Sequence, residues 1–172
     1  MKNILACIVI GSVITLSANA ETSAKISDVH LCCPGCVKGV EKAVAGVADV
    51  SATVDKDAGT VTLTGKDKAA VQKAANALVA AGYFGKSSDS GIKIASETGA
   101  KGKKVQTLKL EGVHLCCGKC VSTVDKAVKS VSGVKEHTAV KNAKSFEVTG
   151  DFNDKEVVEA LHNAGLTGKV AK

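Results

Sequence analysis

Six thiols in two short octets are the residues of this chain best suited to chemistry. The first octet reads Val29-His30-Leu31-Cys32-Cys33-Pro34-Gly35-Cys36. The second reads Val113-His114-Leu115-Cys116-Cys117-Gly118-Lys119-Cys120. Each holds a Cys-X-X-Cys pair, Cys33/Cys36 and Cys117/Cys120, whose spacing lets both sulfurs reach one ion. Each pair runs straight into a helical pattern. The helix dipole and its unpaired N–H groups favour thiolate there, and Lys38 and Lys119 add positive charge nearby. Thiolate is the form that binds metal. Soft sulfur selects Cu(I), Zn(II) or a heavier thiophilic ion such as Hg(II) over magnesium or calcium.

Cys32 and Cys116 place a third thiol in each octet. Neighbouring side chains on an extended strand point in opposite directions, so a shared ion needs a distorted loop. A three-sulfur site is one reading, and a Cys₃His site is another if His30 or His114 turns inward. A histidine at a strand end is otherwise an exposed or hydrogen-bonded residue. His137 and His162 have no counterpart in the other copy and are read as surface residues.

The elements that must position these loops are themselves repeated. Val29 to Val44 matches Val113 to Val128 at an offset of 84 residues. Leu63-Thr64-Gly65 answers Val148-Thr149-Gly150, and Ala81-Gly82 answers Ala164-Gly165. A repeat on this scale marks two copies of one structural unit. In the first copy Ala24 to Leu31 reads as a strand. Val37, Val40, Val44 and Val47 then share one helical face. Val50, Ala52 and Val54 alternate as a strand, Asp57-Ala58-Gly59 forms a turn, and Val61 and Leu63 continue the hairpin. Val71, Ala74, Ala75 and Leu78 mark a second helix closed by Gly82, and a last strand starts near Tyr83.

The second copy repeats this order. Its first strand covers 105–115, and its first helix carries Val121, Val124, Val128 and Val131. A hairpin bearing Phe146 and Val148 follows, then a helix with Val157, Val158 and Leu161, and a last strand over 166–170. The order β-α-β-β-α-β predicts an α+β fold: two sandwiches, each a four-stranded antiparallel sheet with both helices on one face. The expected organisation is an export signal at 1–20, a first domain at 21–86, a flexible linker at 87–104 and a second domain at 105–172. The linker assignment rests on its polar, Gly- and Lys-rich ends, with Ile92 and Ile94 as candidates for the first domain's edge.

The signal is read from Lys2, the apolar run Ile4 to Leu16 and the small-residue site Ala18-Asn19-Ala20. The apolar run is too short to span a bilayer, so no membrane span is expected after cleavage. With 172 residues the chain suits two small domains, whose thin cores gain from a metal or disulfide staple. Aromatic residues are only 2%, so the core must be built from Val, Ala, Leu and Ile. Lysines outnumber acidic residues 23 to 17, yet there is no arginine, and the lysines are dispersed. Without guanidinium forks or stacking aromatics, nucleic acid is not an expected partner.

On these residues the chain resembles the heavy-metal-associated domain family, the ferredoxin-like domains of copper chaperones, metal-ATPase N-termini and periplasmic mercury-binding proteins. The family loop, Gly-Met-Thr/His-Cys-X-X-Cys, lies between the first strand and first helix. Leu31 and Leu115 stand at its Met position, Cys32 and Cys116 are additional, and Gly112 lies two residues further from Cys117 than the pattern places it. The resemblance covers most of 24–86 and 104–171. It implies tandem ferredoxin-like domains, metal capture on Cys33/Cys36 and Cys117/Cys120, and an acceptor such as a metal-transport protein. Tyr83 and Phe84 fall where the family often has an aromatic over the site, and Leu166 takes that place in the second copy.

The leading functional expectation is an exported, periplasmic or secreted metal-binding protein that is not an enzyme. Two alternatives stand beside it. One is a thiol–disulfide oxidoreductase, though the element order is not the thioredoxin one. The other is a structural pair of domains stapled by disulfides, in which three cysteines per octet cannot all pair locally.

Overall fold

The computed structural model describes residues 21–171. The expected export signal, with Cys7, lies outside the described residues. The first unit consists of β1 (Thr22–Ser27), α1 (Pro34–Ala45), β2 (Val50–Asp55), β3 (Thr60–Gly65), α2 (Lys68–Ala80) and β4 (Lys86–Ser87). The second consists of β5 (Lys104–Glu111), α3 (Gly118–Lys129), β6 (Val134–His137), β7 (Ser145–Asn153), α4 (Asp154–Asn163) and β8 (Lys169–Val170). Each unit forms one antiparallel four-stranded sheet, in the order β2-β3-β1-β4 and β6-β7-β5-β8. This is the expected tandem ferredoxin-like α+β architecture.

The strands form where alternation demands it. Ala24 and Ala52 both pair with Leu63, placing the three on one sheet face. The β2–β3 turn is fixed by the Asp55 carboxylate, which accepts from the Asp57 and Ala58 amides at 3.0 and 2.9 Å. Asp67 caps α2 by accepting from the Ala70 amide at 2.7 Å. The first helices bury Val40, Val44, Val124 and Val128 as expected, while Val37 and Val121 are half-buried and Val47 and Val131 lie past the helix ends; Cys36 and Cys120 join the core at 0% exposure.

Both first strands end sooner than alternation predicts. β1 stops at Ser27 because Asp28 adopts φ +61, and β5 stops at Glu111 because Gly112 adopts φ +73. The two residues are equivalent in the repeat. Each turns the chain out of its sheet while Val29, Leu31, Val113 and Leu115 remain buried. The last strands are also shorter than expected. Tyr83 and Leu166 do not open β4 and β8; they form an antiparallel bridge to each other across the two units.

That bridge belongs to a tight backbone contact. The Phe84 amide donates to the Gly165 carbonyl at 3.1 Å and the Thr167 amide to the Gly82 carbonyl at 3.0 Å. The His30 amide donates to the Gly165 carbonyl at 3.2 Å. Gly82 and Gly165 have φ of +89 and +74. A Cβ on Gly82 would lie 2.5 Å from the His114 amide nitrogen, and one on Gly165 would meet the His30 amide nitrogen equally closely. Only glycine allows these turns to approach.

Residues 87–104, expected as a flexible linker, are fastened along both units. The Ser88 amide donates to the Lys25 carbonyl, Gln72 holds both the amide and carbonyl of Lys93 at 2.7 and 2.8 Å, and Ile92 is buried. Further on, the Lys101 and Lys103 amides donate to the buried Asp154 carboxylate at 2.9 and 2.8 Å. Burial opposes ionisation of Asp154, but these backbone donors outweigh it and hold its pKa below the usual carboxylate value. A depressed carboxylate stabilises the fold above its unfolded pKa near 3.9 and loses that contribution as pH falls through the folded value. Asp154→Ala should therefore lower unfolding free energy by about 2 kcal/mol at pH 7, with the difference shrinking below about pH 4. Denaturant titrations of both chains at the two pH values check this.

Candidate metal centre

The paired glycine turns set the N-termini of α1 and α3 against each other. Cys33 and Cys117 occupy the N-cap positions in extended conformation, with φ of −159 and −152, and neither caps its helix with a side-chain hydrogen bond. Their sulfurs are therefore left for other partners. Cys36 and Cys120 sit one turn on, fully buried.

Cys32 and Cys116 have an answer to the problem of adjacent thiols. Each reaches across to the other unit as its neighbour turns to a different group of sulfurs. Cys32 Sγ lies 3.4 Å from Cys117 and 3.6 Å from Cys120. Cys116 Sγ lies 3.5 Å from Cys33 and 3.6 Å from Cys36. Within each unit, Cys36 lies 3.7 and 3.8 Å from Cys32 and Cys33, and Cys120 lies 3.7 and 3.8 Å from Cys116 and Cys117. Cys36 and Cys120 are 4.0 Å apart at the centre. Exchanging the units maps this set of contacts onto itself. Six thiols expected in two loops thus form one cluster.

The two expected histidines flank the cluster unequally. His114 lies within ligand distance of Cys36, Cys116 and Cys120, and His30 of Cys32 and Cys120. The Tyr83 hydroxyl donates to the Cys36 carbonyl at 2.9 Å and meets His114 Nε2 at 3.1 Å, with the two rings tilted 4.5 Å apart. Because the hydroxyl proton is committed to the carbonyl, His114 Nε2 is the donor in that contact. Room for the hydroxyl exists only because α1 carries Gly39, where a Cβ would collide with it. In the second unit Leu166 and Thr123 stand at the equivalent positions, with no ring hydroxyl to offer. His30 Nε2 is accordingly buried without a hydrogen-bond partner.

Tyr83 is thus a structural member of the site as well as its cover. Gly39 was the missed signal, a glycine inside a helical pattern where alanine is about 1 kcal/mol better. His137 and His162 are not the surface residues expected. His137 donates through Nε2 to Asp125 at 2.9 Å and accepts at Nδ1 from the Ala139 amide. The His162 ring stacks on Phe84 of the other unit at 3.7 Å. Neither belongs to the groups of residues that could hold an ion with the cysteines.

The thiols are strongly differentiated. A hydrogen bond from Cys120 holds Cys36 well below the ordinary thiol pKa despite burial, with His114 adding to the effect. Cys120 is pushed far up, first by that same contact with the Cys36 thiolate and then by burial. The two central sulfurs are thus driven apart, Cys36 toward thiolate and Cys120 toward thiol. The amide of Cys120 in the first turn of α3 holds Cys117 down to about 6. Burial pushes Cys32 up to about 12 and raises Cys116 as well. Burial also lowers His30, which favours its neutral form. Sulfurs of six cysteines with two imidazoles beside them make a donor set for a soft cation.

Comparisons with known proteins bear on the same region. Residues 107–167 match the heavy-metal-associated domain family. Comparison with curated proteins returns no match. Among solved structures, oxidized MerP from Ralstonia metallidurans CH34 is 27% identical, with a TM-score of 0.36 over 39% of this chain and 97% of that one. The N-terminal domain of PacS from Synechocystis PCC6803 is 24% identical, with a TM-score of 0.36 over 40% of this chain and all of that one. The N-terminal soluble domains of Bacillus subtilis CopA are 16% identical, with a TM-score of 0.32 over 89% of this chain and 95% of that one. The match over 107–167 spans α3 with its Cys-X-X-Cys pair, β6, β7 and α4, so the second unit carries a heavy-metal-associated domain.

Proposed function

We propose that this chain is an exported metal-binding protein that captures a thiophilic ion, Cu(I), Zn(II) or Hg(II), between its two units. The first unit is read as a second copy of the same domain. The protein stores the ion or relays it to an acceptor such as a metal-transport protein, and it catalyses no reaction. The observation that carries this reading is the convergence of six sulfurs from both units within 3.4–4.0 Å contacts. Two donor sets held face to face raise each other's effective concentration, so capture by one unit is completed by the other. The export assignment is supported by Lys2, the apolar run Ile4 to Leu16 and Ala18-Asn19-Ala20 in the sequence. Among the described residues no helix is long and apolar enough to cross a membrane.

The disulfide reading keeps a specific form. The shortest sulfur contacts, Cys32–Cys117 and Cys33–Cys116, join the two units rather than the Cys-X-X-Cys partners. With Cys36–Cys120 they would pair all six thiols across the interface, leaving none over. Mapping of disulfides after export would show these cross-unit bonds if oxidation is the resting state.

Native mass spectrometry of the reduced chain, purified anaerobically, should find thiophilic metal retained. Recovery of a metal-free chain after loading with zinc, copper and mercury salts would end the proposal. Replacing Cys32, Cys33 and Cys36 together by serine should weaken retention by the untouched unit about a hundredfold or more, rather than halve it. Loading should also release protons. Cys32, Cys116 and Cys120 stand above the ordinary thiol value and carry protons at pH 7, and metal must displace them. Apparent affinity should therefore rise from pH 6 to pH 9. Calorimetry in buffers of different ionisation enthalpy measures the proton count, and an affinity independent of pH would contradict the assignment.

A further inference from the structure

The sulfur contacts contain a division that two separate Cys-X-X-Cys sites would not produce. Cys33, Cys36, Cys116 and Cys120 form one group of four, with contacts of 3.8, 3.5, 3.6, 4.0 and 3.7 Å along five of its six edges. Cys32, Cys36, Cys117 and Cys120 form the other, with contacts of 3.7, 3.4, 3.6, 4.0 and 3.8 Å along five of six. The two groups share a single edge, Cys36–Cys120. Within either unit alone the three thiols close no triangle at this distance, because Cys32 makes no such contact with Cys33, nor Cys116 with Cys117. Every closed set of three sulfurs draws on both units.

We propose that the cluster is one binuclear centre for two tetrahedral, thiophilic divalent ions of the Zn(II) class, bridged by Cys36 and Cys120. It rests on the metal-binding function argued above and adds nuclearity, ligand sharing and coordination type. A tetrahedral thiolate site with metal–sulfur bonds near 2.3 Å has sulfur–sulfur edges of about 3.8 Å. Cys33 and Cys116 complete the first ion's shell as terminal ligands, and Cys32 and Cys117 complete the second's. Once all six sulfurs are thiolates, their six charges against two double charges leave a net charge of minus two. The N-termini of α1 and α3 face that charge from both sides. His30, whose buried Nε2 has no partner, stands beside Cys32 and Cys120, where an Nε2 proton would face the ligand sulfurs.

Cadmium-113 is the probe, added to the reduced full-length chain. The expected result is two cadmium ions per chain, both in the all-sulfur chemical-shift range, with cadmium–cadmium coupling through the shared sulfurs. That readout needs no variant. Cys36→Ser should then weaken both ions by tenfold or more and abolish the coupling, whereas Cys33→Ser should weaken one ion only. Two uncoupled ions, or any stoichiometry other than two, would overturn the binuclear centre and leave the metal-binding function standing. A chain that takes up no cadmium, zinc, copper or mercury would overturn both.

Discussion

Two glycines govern how this molecule is assembled. At Gly82 and Gly165 the backbone of one unit lies against the octet backbone of the other, so closely that a single methyl group would separate them. A hydrophobic interface of side chains would leave slack for the units to slide. A contact made from backbone amides and carbonyls fixes register instead, because each hydrogen bond has a length and a direction. The bonds linking Phe84 and His30 to Gly165, and Thr167 to Gly82, fall beside the octets themselves. The loops bearing the thiols are thereby positioned by the other unit as much as by their own.

The two halves of the site are related by repetition, yet their second layers have diverged in a coordinated way. Tyr83 needs Gly39 beneath it and, once present, hydrogen-bonds both Cys36 and His114. Leu166 and Thr123 at the equivalent positions are mutually consistent in the opposite sense. One histidine is consequently tied down and the other carries an unpartnered nitrogen. An unpaired buried polar atom costs about 1–3 kcal/mol. A donor beside a thiolate cluster recovers that cost when the sulfurs carry charge, which makes His30 the residue whose environment changes most between the protonated and ionised cluster.

Much of this was legible in the chain. The period switches between strand and helix named each element, since Val40, Val44, Val124 and Val128 can share a face only on a helix. The octets identified the donors because residue type and spacing are local properties. What escaped was set by contacts between distant residues. Asp28 reads as an ordinary strand residue, and nothing near it reveals the positive φ that ends β1. The segment 87–104 has the composition of a tether, but its amides are claimed by Asp154, 51 and 53 residues away. Whether Cys32 and Cys33 serve one site was undecidable locally, because the answer lies in thiols more than eighty residues on.

The cluster's ionisation sets an order of events for loading. Six bare thiolates at these spacings would repel strongly in a low-dielectric interior. The metal-free protein avoids this by keeping Cys32, Cys116 and Cys120 protonated around a Cys36 thiolate, with Cys117 poised near neutrality at the rim. Cys117, lowered by the α3 amides and only half-buried, is therefore the thiol most open to an approaching cation. Each ion that binds lowers the cost of ionising the sulfurs still protonated, so deprotonation and coordination advance together. Cys36 and Cys120 each touch sulfurs of both units, so ionising either of them alters the surroundings of thiols on both sides of the cluster.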